Sequence, residues 1–239
     1  MVWFGLLLRS SPYGTLHLPQ SVPDNRKTTR NAITPVKEDR GFCINTYMAI
    51  AGIDYSLCGP CICIFDGTVK ETFGIHRCSF YFLTNVKKHA KVYEGIIYGE
   101  MFDDYNHECQ RYETISDWAV DKVLGCSQVG LEGYAYGASG RAIFQIAENC
   151  GLLKYKLYQA GKPISVLTPT TVKKHGTGKG NASKELMVKS FDKDTGMNLK
   201  HTITPDRQKI GNPVSDIADS YYICSLLHKN LRAISDELA

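Results

Sequence analysis

No window of the 239-residue sequence holds 18 or more consecutive apolar residues, which excludes a membrane-spanning helix of ordinary length. The first residues contain a short apolar run, Gly5 to Leu8, but no basic residue precedes it and no cleavage site follows, so a secretory signal is not expected. The cysteines lack the even number and regular spacing of a disulfide framework. There are nine (Cys43, Cys58, Cys61, Cys63, Cys78, Cys109, Cys126, Cys150 and Cys224), set in apolar runs, as suits reduced, buried thiols and a cytoplasmic location. There is no internal repeat. A nucleotide-binding P-loop is missing too: Gly180 stands where Ser or Thr should follow Lys179 and the earlier glycine is absent, so ATP is not an expected ligand.

What is present is an apolar fraction of 43%, enough for a real core, and an uneven charge distribution beneath a net charge of only +4. Residues 48–153 carry 8 basic against 13 acidic side chains, whereas residues 154–189 carry 8 lysines against the single Glu185. A lysine-rich segment beside a carboxylate-bearing body suits a protein that binds and cuts a polyanion, or else a solvated lysine-rich face. Residues 1–47 are dominated by Ser, Pro, Thr, Asn and basic residues without helical or strand period, and read as a disordered arm of net charge +3.

The remainder, 48–239, reads as one α/β domain. Ala49–Asp54 and Cys61–Phe65 are apolar strands, a third is expected over 72–83, and their short turns predict an antiparallel meander. Residues 87–105 are expected to form an irregular excursion at the sheet edge. Helices are predicted at 109–125 and 139–153, the second ending or bending at Gly151, with Ala142, Ile143, Ile146, Ala147 and Cys150 on its buried face. Short strands at 127–132 and 163–167, a loop over 168–182, and helices at 183–195 and 214–231 complete the order. The expectation is a mixed five-stranded sheet, antiparallel first and parallel after, flanked by helices.

Four acids stand out by position. Asp54 ends the first strand and Glu132 ends the strand at 127–132; neighbouring strand ends in such sheets converge on one crevice. Asp216 and Asp219, three apart, share one face of an otherwise core-seeking helix. Close carboxylates are costly to bury without a cation, although capping of the helix by Ser215 or Asp216 is an alternative for the first of them. Together the four form a candidate two-metal site for phosphodiester hydrolysis. A zinc site from Cys58, Cys61, His76 and Cys78 is conceivable from residue types, but Cys61 and Cys63 fit a buried strand face better.

The glycine-rich His175–Gly180 segment precedes a helix start, so its backbone N–H groups and Lys179 are candidates to hold a DNA phosphate. Lys173, Lys174 and Lys184 are further candidates for backbone contacts.

From Met48 to Leu231 the chain resembles the RuvC-type Holliday-junction resolvases of the ribonuclease H-like superfamily, most closely their phage-encoded branch. The resemblance rests on Ile50-Ala51-Gly52-Ile53-Asp54, Glu132-Gly133-Tyr134-Ala135-Tyr136-Gly137, Pro169 to Lys174, Thr177 to Lys184, and Asp216-Ile217-Ala218-Asp219, in this order. It implies a ribonuclease H-like fold, with Asp54 bridging two Mg²⁺ ions (Mn²⁺ being an expected substitute) and Glu132, Asp216 and Asp219 completing their shells. It also implies a homodimer that nicks four-way or branched DNA symmetrically. Bacterial members carry Gln and Phe where this chain has Gly133 and Ala135; Tyr134 and Tyr136 flank those positions and can stack on a base or pack on the helix. A flap or fork nuclease, a ribonuclease H, or a non-catalytic DNA-binding module on the same fold are the alternatives.

Overall fold

The computed structural model describes residues 49–133 and 141–238. The arm expected over residues 1–47, Met48, and the two tyrosines Tyr134 and Tyr136 lie outside the described residues, as do the side chains of residues 141 and 142. Among the described residues no helix is long and apolar enough to cross a membrane.

Three strands form the expected meander: β1 (Ile50–Asp54), β2 (Cys61–Phe65) and β3 (Cys78–Thr84), each antiparallel to the one before. The third begins later than its β-forming composition predicts. Residues 75–77 make a 3₁₀ turn, and Glu71 closes the preceding loop by accepting from the Thr68 N–H (2.6 Å) and pairing with Arg77 (2.6 Å).

Residues 87–105 are not merely an excursion. They contribute β4 (Val92–Tyr93) and β5 (Ile97–Met101), the latter parallel to β3. The sheet therefore has seven strands rather than five, in the order β4-β5-β3-β2-β1-β6-β7. The two added strands are short and largely half-buried, so neither shows the apolar run of a central strand. On the other side of β1, β6 (Gln128–Glu132) and β7 (Ile164–Leu167) run parallel, as expected.

Helices α1 (Glu108–Val123) and α2 (Arg141–Gln159) cover one face of the sheet, where Ala51, Ile53, Ile115, Ala119, Leu153 and Leu157 share a core. α2 does not stop at Gly151, because Leu153 and Leu157 in the following turns are fully buried against the sheet. Its buried face is also rotated from the expected one. Asn149 is inside, accepting from the Tyr55 hydroxyl (3.2 Å), and Ala147 is exposed.

The segment 168–182, expected to be a loop, holds helix α3 (Pro169–Thr177). Thr168 caps it by accepting from the Thr171 N–H, Pro169 starts it, and Gly178 (φ +76°) terminates it in the left-handed conformation. α4 (Lys184–Thr195) follows, then a short α5 (Leu199–Ile203) inside the polar stretch 196–212. α6 (Val214–Glu237) lies on the second face of the sheet and buries Ile217, Ala218, Tyr221, Tyr222 and Cys224 against β1, β2 and β3. It is six residues longer than its apolar face predicts.

Candidate active site

The acid cluster follows from the alternation of β1. Ala51 and Ile53 point to the α1/α2 core, whereas Ile50 belongs to the α6 side and Gly52 meets α6 directly. Asp54, two residues on, continues the α6 face at the strand's carboxyl end. Gly52 pairs with Gly130 and Ile53 with Leu131 in the parallel β1–β6 ladder, so Glu132 emerges beside Asp54 on the same face.

α6 reaches these strand ends because it lies unusually close to β1. A Cβ at Gly52 would stand 2.6 Å from the Ser220 carbonyl oxygen and 2.7 Å from Cys224 Cα, so only glycine permits this approach. The Ser220 hydroxyl is 3.3 Å from Cys61 Sγ, and Cys61 is the β2 partner of Asp54. One helical turn before Ser220, Asp216 projects past the end of the strands. There a Cβ at Gly59 would stand 2.8 Å from Asp216 Oδ2 and 2.7 Å from Asn212 Nδ2.

The electrostatics of the four acids follow from this placement. Burial pushes the Asp54 carboxyl well above the ordinary range, and repulsion by Asp216, Glu132 and Asp219 adds to the shift. Burial, with repulsion by Asp219, lifts Glu132 to about 7. Asp216 and Asp219 rise to about 6, mainly through burial. Asp216, Glu132 and Asp219 all lie within electrostatic reach of Asp54, which places it among the three. Capping does not explain Asp216: the α6 N-cap is Pro213, with no side-chain capping bond, and Asp216 Oδ1 instead accepts from the Ser215 hydroxyl (2.9 Å).

Of the lysines singled out from sequence, the fold brings two to the acids. Lys184, first residue of α4, lowers all four carboxyls and donates to Ser215 Oγ (3.4 Å), giving a chain Lys184–Ser215–Asp216. Lys173, on α3, acts on Glu132 and Asp219. Lys174 and Lys179 are exposed and do not figure among the charges acting on the four acids.

Two of the backbone donors in the glycine-rich segment are used within the chain. The Gly178 N–H donates to the Lys174 carbonyl, and the Lys179 N–H to Thr177 Oγ1. Gly176 is there for packing, since a Cβ would meet the Tyr222 ring at 2.8 Å. Ser215, Asn212 and Gly59 were not visible as site residues in the sequence; only the neighbourhood of Asp216 pointed to them.

The donor chemistry fits a hard divalent cation. All four groups are carboxylates, and Asp216, only 4% exposed, has a buried Oδ2 without any hydrogen-bond partner. Among the described residues no group of three or more such side chains is placed to hold an ion. Zinc through cysteine is disfavoured by register. Cys61 pairs with Phe82 and Cys78 with Phe65, which puts the two thiols at opposite ends of the β2–β3 hairpin.

No family model matches the sequence, and no curated protein matches it. Solved structures do. Thermus thermophilus RuvC superposes with a TM-score of 0.50 at 18% identity, over 79% of this chain and 97% of that one. T. thermophilus RuvC in complex with a Holliday junction substrate gives 0.51 at 13% identity, over 77% and 98%. The chain thus has the RuvC-like, ribonuclease H-like α/β fold.

Proposed function

We propose that this chain is a Mg²⁺-dependent, structure-selective DNA endonuclease that resolves four-way or branched DNA by paired nicks. The observation that carries the reading is the gathering of Asp54, Glu132, Asp216 and Asp219 at one sheet end, with Lys173 and Lys184 on the rim. A non-catalytic DNA-binding module has no use for four mutually repelling carboxylates. The fold shared with a resolvase that has been solved on a Holliday junction supports the substrate class.

Asp54 and the three surrounding acids would hold the ions. Two Mg²⁺ held there would supply Lewis acidity at the scissile phosphate and a water of lowered pKa. The protein's own part is positioning. Ser215 donates to one oxygen of Asp216 and leaves Oδ2 free to turn toward the cluster. Lys173 and Lys184 offset the acids' charge and draw a phosphate to the rim. Nicking of a synthetic junction should require Mg²⁺ or Mn²⁺ and stop in chelator; equal cleavage in chelator would overturn the reading.

Lys184→Ala is expected to lower cleavage by about 10²-fold, the scale of one lost electrostatic contact in a site. Lys179→Ala should only weaken salt-dependent binding, reducing the salt slope by about 1. Rates and salt titrations of the two variants check this, and equal behaviour would contradict the placement of Lys184.

The pH dependence has a definite sign. Folded pKa values raised to about 6 for Asp216 and Asp219 and about 7 for Glu132 mean that the folded state binds more protons than the unfolded state between pH 4 and 7. These groups therefore make the metal-free protein less stable as pH rises through that window. Tm in chelator should drop by several degrees from pH 5 to pH 8, at about 2–4 °C per kcal/mol. Mg²⁺ should raise Tm at pH 8 and have little effect at pH 5, because binding must displace protons. A Tm that rises over this range in chelator would contradict the clustering.

A further inference from the structure

At the sheet end that carries the acids, the chain leaving β3 and the segment before α6 enclose a cavity of about 240 Å³. Its position follows from the sheet register. Asp54 pairs with Cys61 and Cys61 with Phe82, so Leu83 and the residues after it stand just past the level of Asp54. The Leu83 N–H donates to the Pro60 carbonyl (3.1 Å), which ties this end of β3 to the loop that follows β1. Asn212 is the shared wall. It lines the cavity, and its Nδ2 and Asp216 Oδ2 both crowd the place a Cβ would take at Gly59, at 2.7 Å and 2.8 Å. The cavity therefore adjoins the acid cluster.

Its lining is of two kinds. Leu83, Val86 and Pro213 give apolar walls, with Leu83 and Pro213 buried. Asn85, Asn212 and Arg207 bring two amides and a guanidinium, with Asn85 and Arg207 exposed at the mouth. Arg207 Nη1 donates to the Asn212 carbonyl (2.8 Å), a bond that steadies the guanidinium at the wall and occupies one of its five N–H donors.

A phosphate makes poor use of such a lining. It offers acceptors only, which leaves the amide oxygens idle, and it has no apolar surface for Leu83, Val86 and Pro213. A nucleobase has apolar faces and an edge that both donates and accepts. The volume lies below the roughly 300–1,000 Å³ of pockets that take drug-sized ligands, so there is room for one base and not for a base pair. The guanidinium chooses among bases: its fork matches the O6 and N7 acceptors of guanine, whose ring and exocyclic N–H donors suit an amide oxygen.

We propose that this cavity is a base-reading subsite that takes one guanine, turned out of the stack beside the scissile phosphate. Arg207 meets its O6/N7 edge, and Asn85 and Asn212 meet its remaining polar groups. The proposal deepens the junction-nuclease reading, on which it rests. Taking a base out of the stack costs least where stacking is already interrupted, as at a branch point, so the subsite also favours branched DNA.

The test uses the full chain and four-way junctions that differ only in the base at each position flanking the cleaved bond. Cutting in Mg²⁺ should be faster by about 10-fold or more when guanine stands at one fixed position, the scale of one bidentate base contact. Placing 7-deazaguanine there, which lacks the N7 acceptor, should remove most of that advantage. Arg207→Ala should cut the junctions at rates like one another and no longer distinguish guanine from 7-deazaguanine. Asn85→Ala, at an exposed position, should narrow the preference too, and carries the test if Arg207→Ala does not fold.

Absence of any base preference in the parent chain, or a guanine preference that survives Arg207→Ala, would overturn the subsite. So would an Arg207→Ala variant that slows every junction by the same factor, which marks a backbone contact instead. Equilibrium binding of the same junctions in chelator keeps the two readings apart. A guanine preference in binding without cleavage of any nucleic acid removes the nuclease function alone, and cleavage without base preference removes the subsite alone.

Discussion

Asp54→Asn is expected to abolish the proposed metal-dependent cleavage, by about 10³-fold or more, while salt-sensitive DNA binding persists and the metal-free protein becomes more stable at pH 8. The three expectations share one cause. Asp54 sits at the centre of the cluster and is repelled by Asp216, Glu132 and Asp219. The amide keeps its shape but removes the charge around which the others are arranged. Loss of that charge removes a buried carboxylate opposed by burial and by its three neighbours, so Tm at high pH should increase in chelator. It also removes the cation ligand proposed at the centre of the site, so Mg²⁺ should no longer raise Tm. Cleavage rates, a salt titration of binding and thermal melts with and without Mg²⁺ read the three effects separately. Undiminished cleavage would remove Asp54 from the site.

Gly52→Ala should be damaging although no side-chain chemistry is touched. The added methyl would press on the backbone of Ser220 and Cys224, which cannot swing aside as a side chain can. The helix must lift from β1, at an overpacking cost of about 1–3 kcal/mol or more. That corresponds to a Tm loss of roughly 2–12 °C at about 2–4 °C per kcal/mol. Cleavage should suffer further, because Asp216 and Asp219 move with α6 relative to Asp54 and Glu132. A displacement near 1 Å can cost about 10²-fold.

Gly130→Ala is the matched control. Gly130 is the register partner of Gly52, but its methyl would meet only Ile223 and Leu227 side-chain atoms at 3.3–3.4 Å. It should lose much less stability and keep most activity. Equal tolerance of both substitutions would show that α6 does not rest on β1 as described.

The placement of the four acids was legible in the sequence because two physical signals are local. An apolar run that ends on one carboxylate marks a strand end, which served for both Asp54 and Glu132. An apolar helix interrupted by two acids marks groups held at the core for a reason, which served for Asp216 and Asp219.

The surroundings of the site were less legible. Thr168, Pro169 and Gly178 are a cap, a first-turn proline and a terminator, and they bound α3. The glycine and lysine content between them nevertheless suggested a loop. The same glycines suggested a phosphate cradle, whereas Gly176 is needed because Tyr222 lies against it. That need is tertiary and leaves no trace in spacing. Lys184 is likewise brought to the acids only by the placement of α4 beside the start of α6. The strands β4 and β5 escaped because edge strands carry few fully buried residues. The two tyrosines proposed to stack on bases, Tyr134 and Tyr136, lie outside the described residues.

The most direct test of the central claim is a side-by-side cleavage assay in Mg²⁺ on a four-way junction, a flap, a linear duplex and an RNA–DNA hybrid, with Asp54→Asn in parallel. A junction-resolving nuclease cuts the four-way junction fastest, leaves paired nicks on opposing strands, and loses that cleavage in Asp54→Asn. Preferential cutting of the hybrid or the flap, or equal cleavage by wild type and Asp54→Asn, would contradict it.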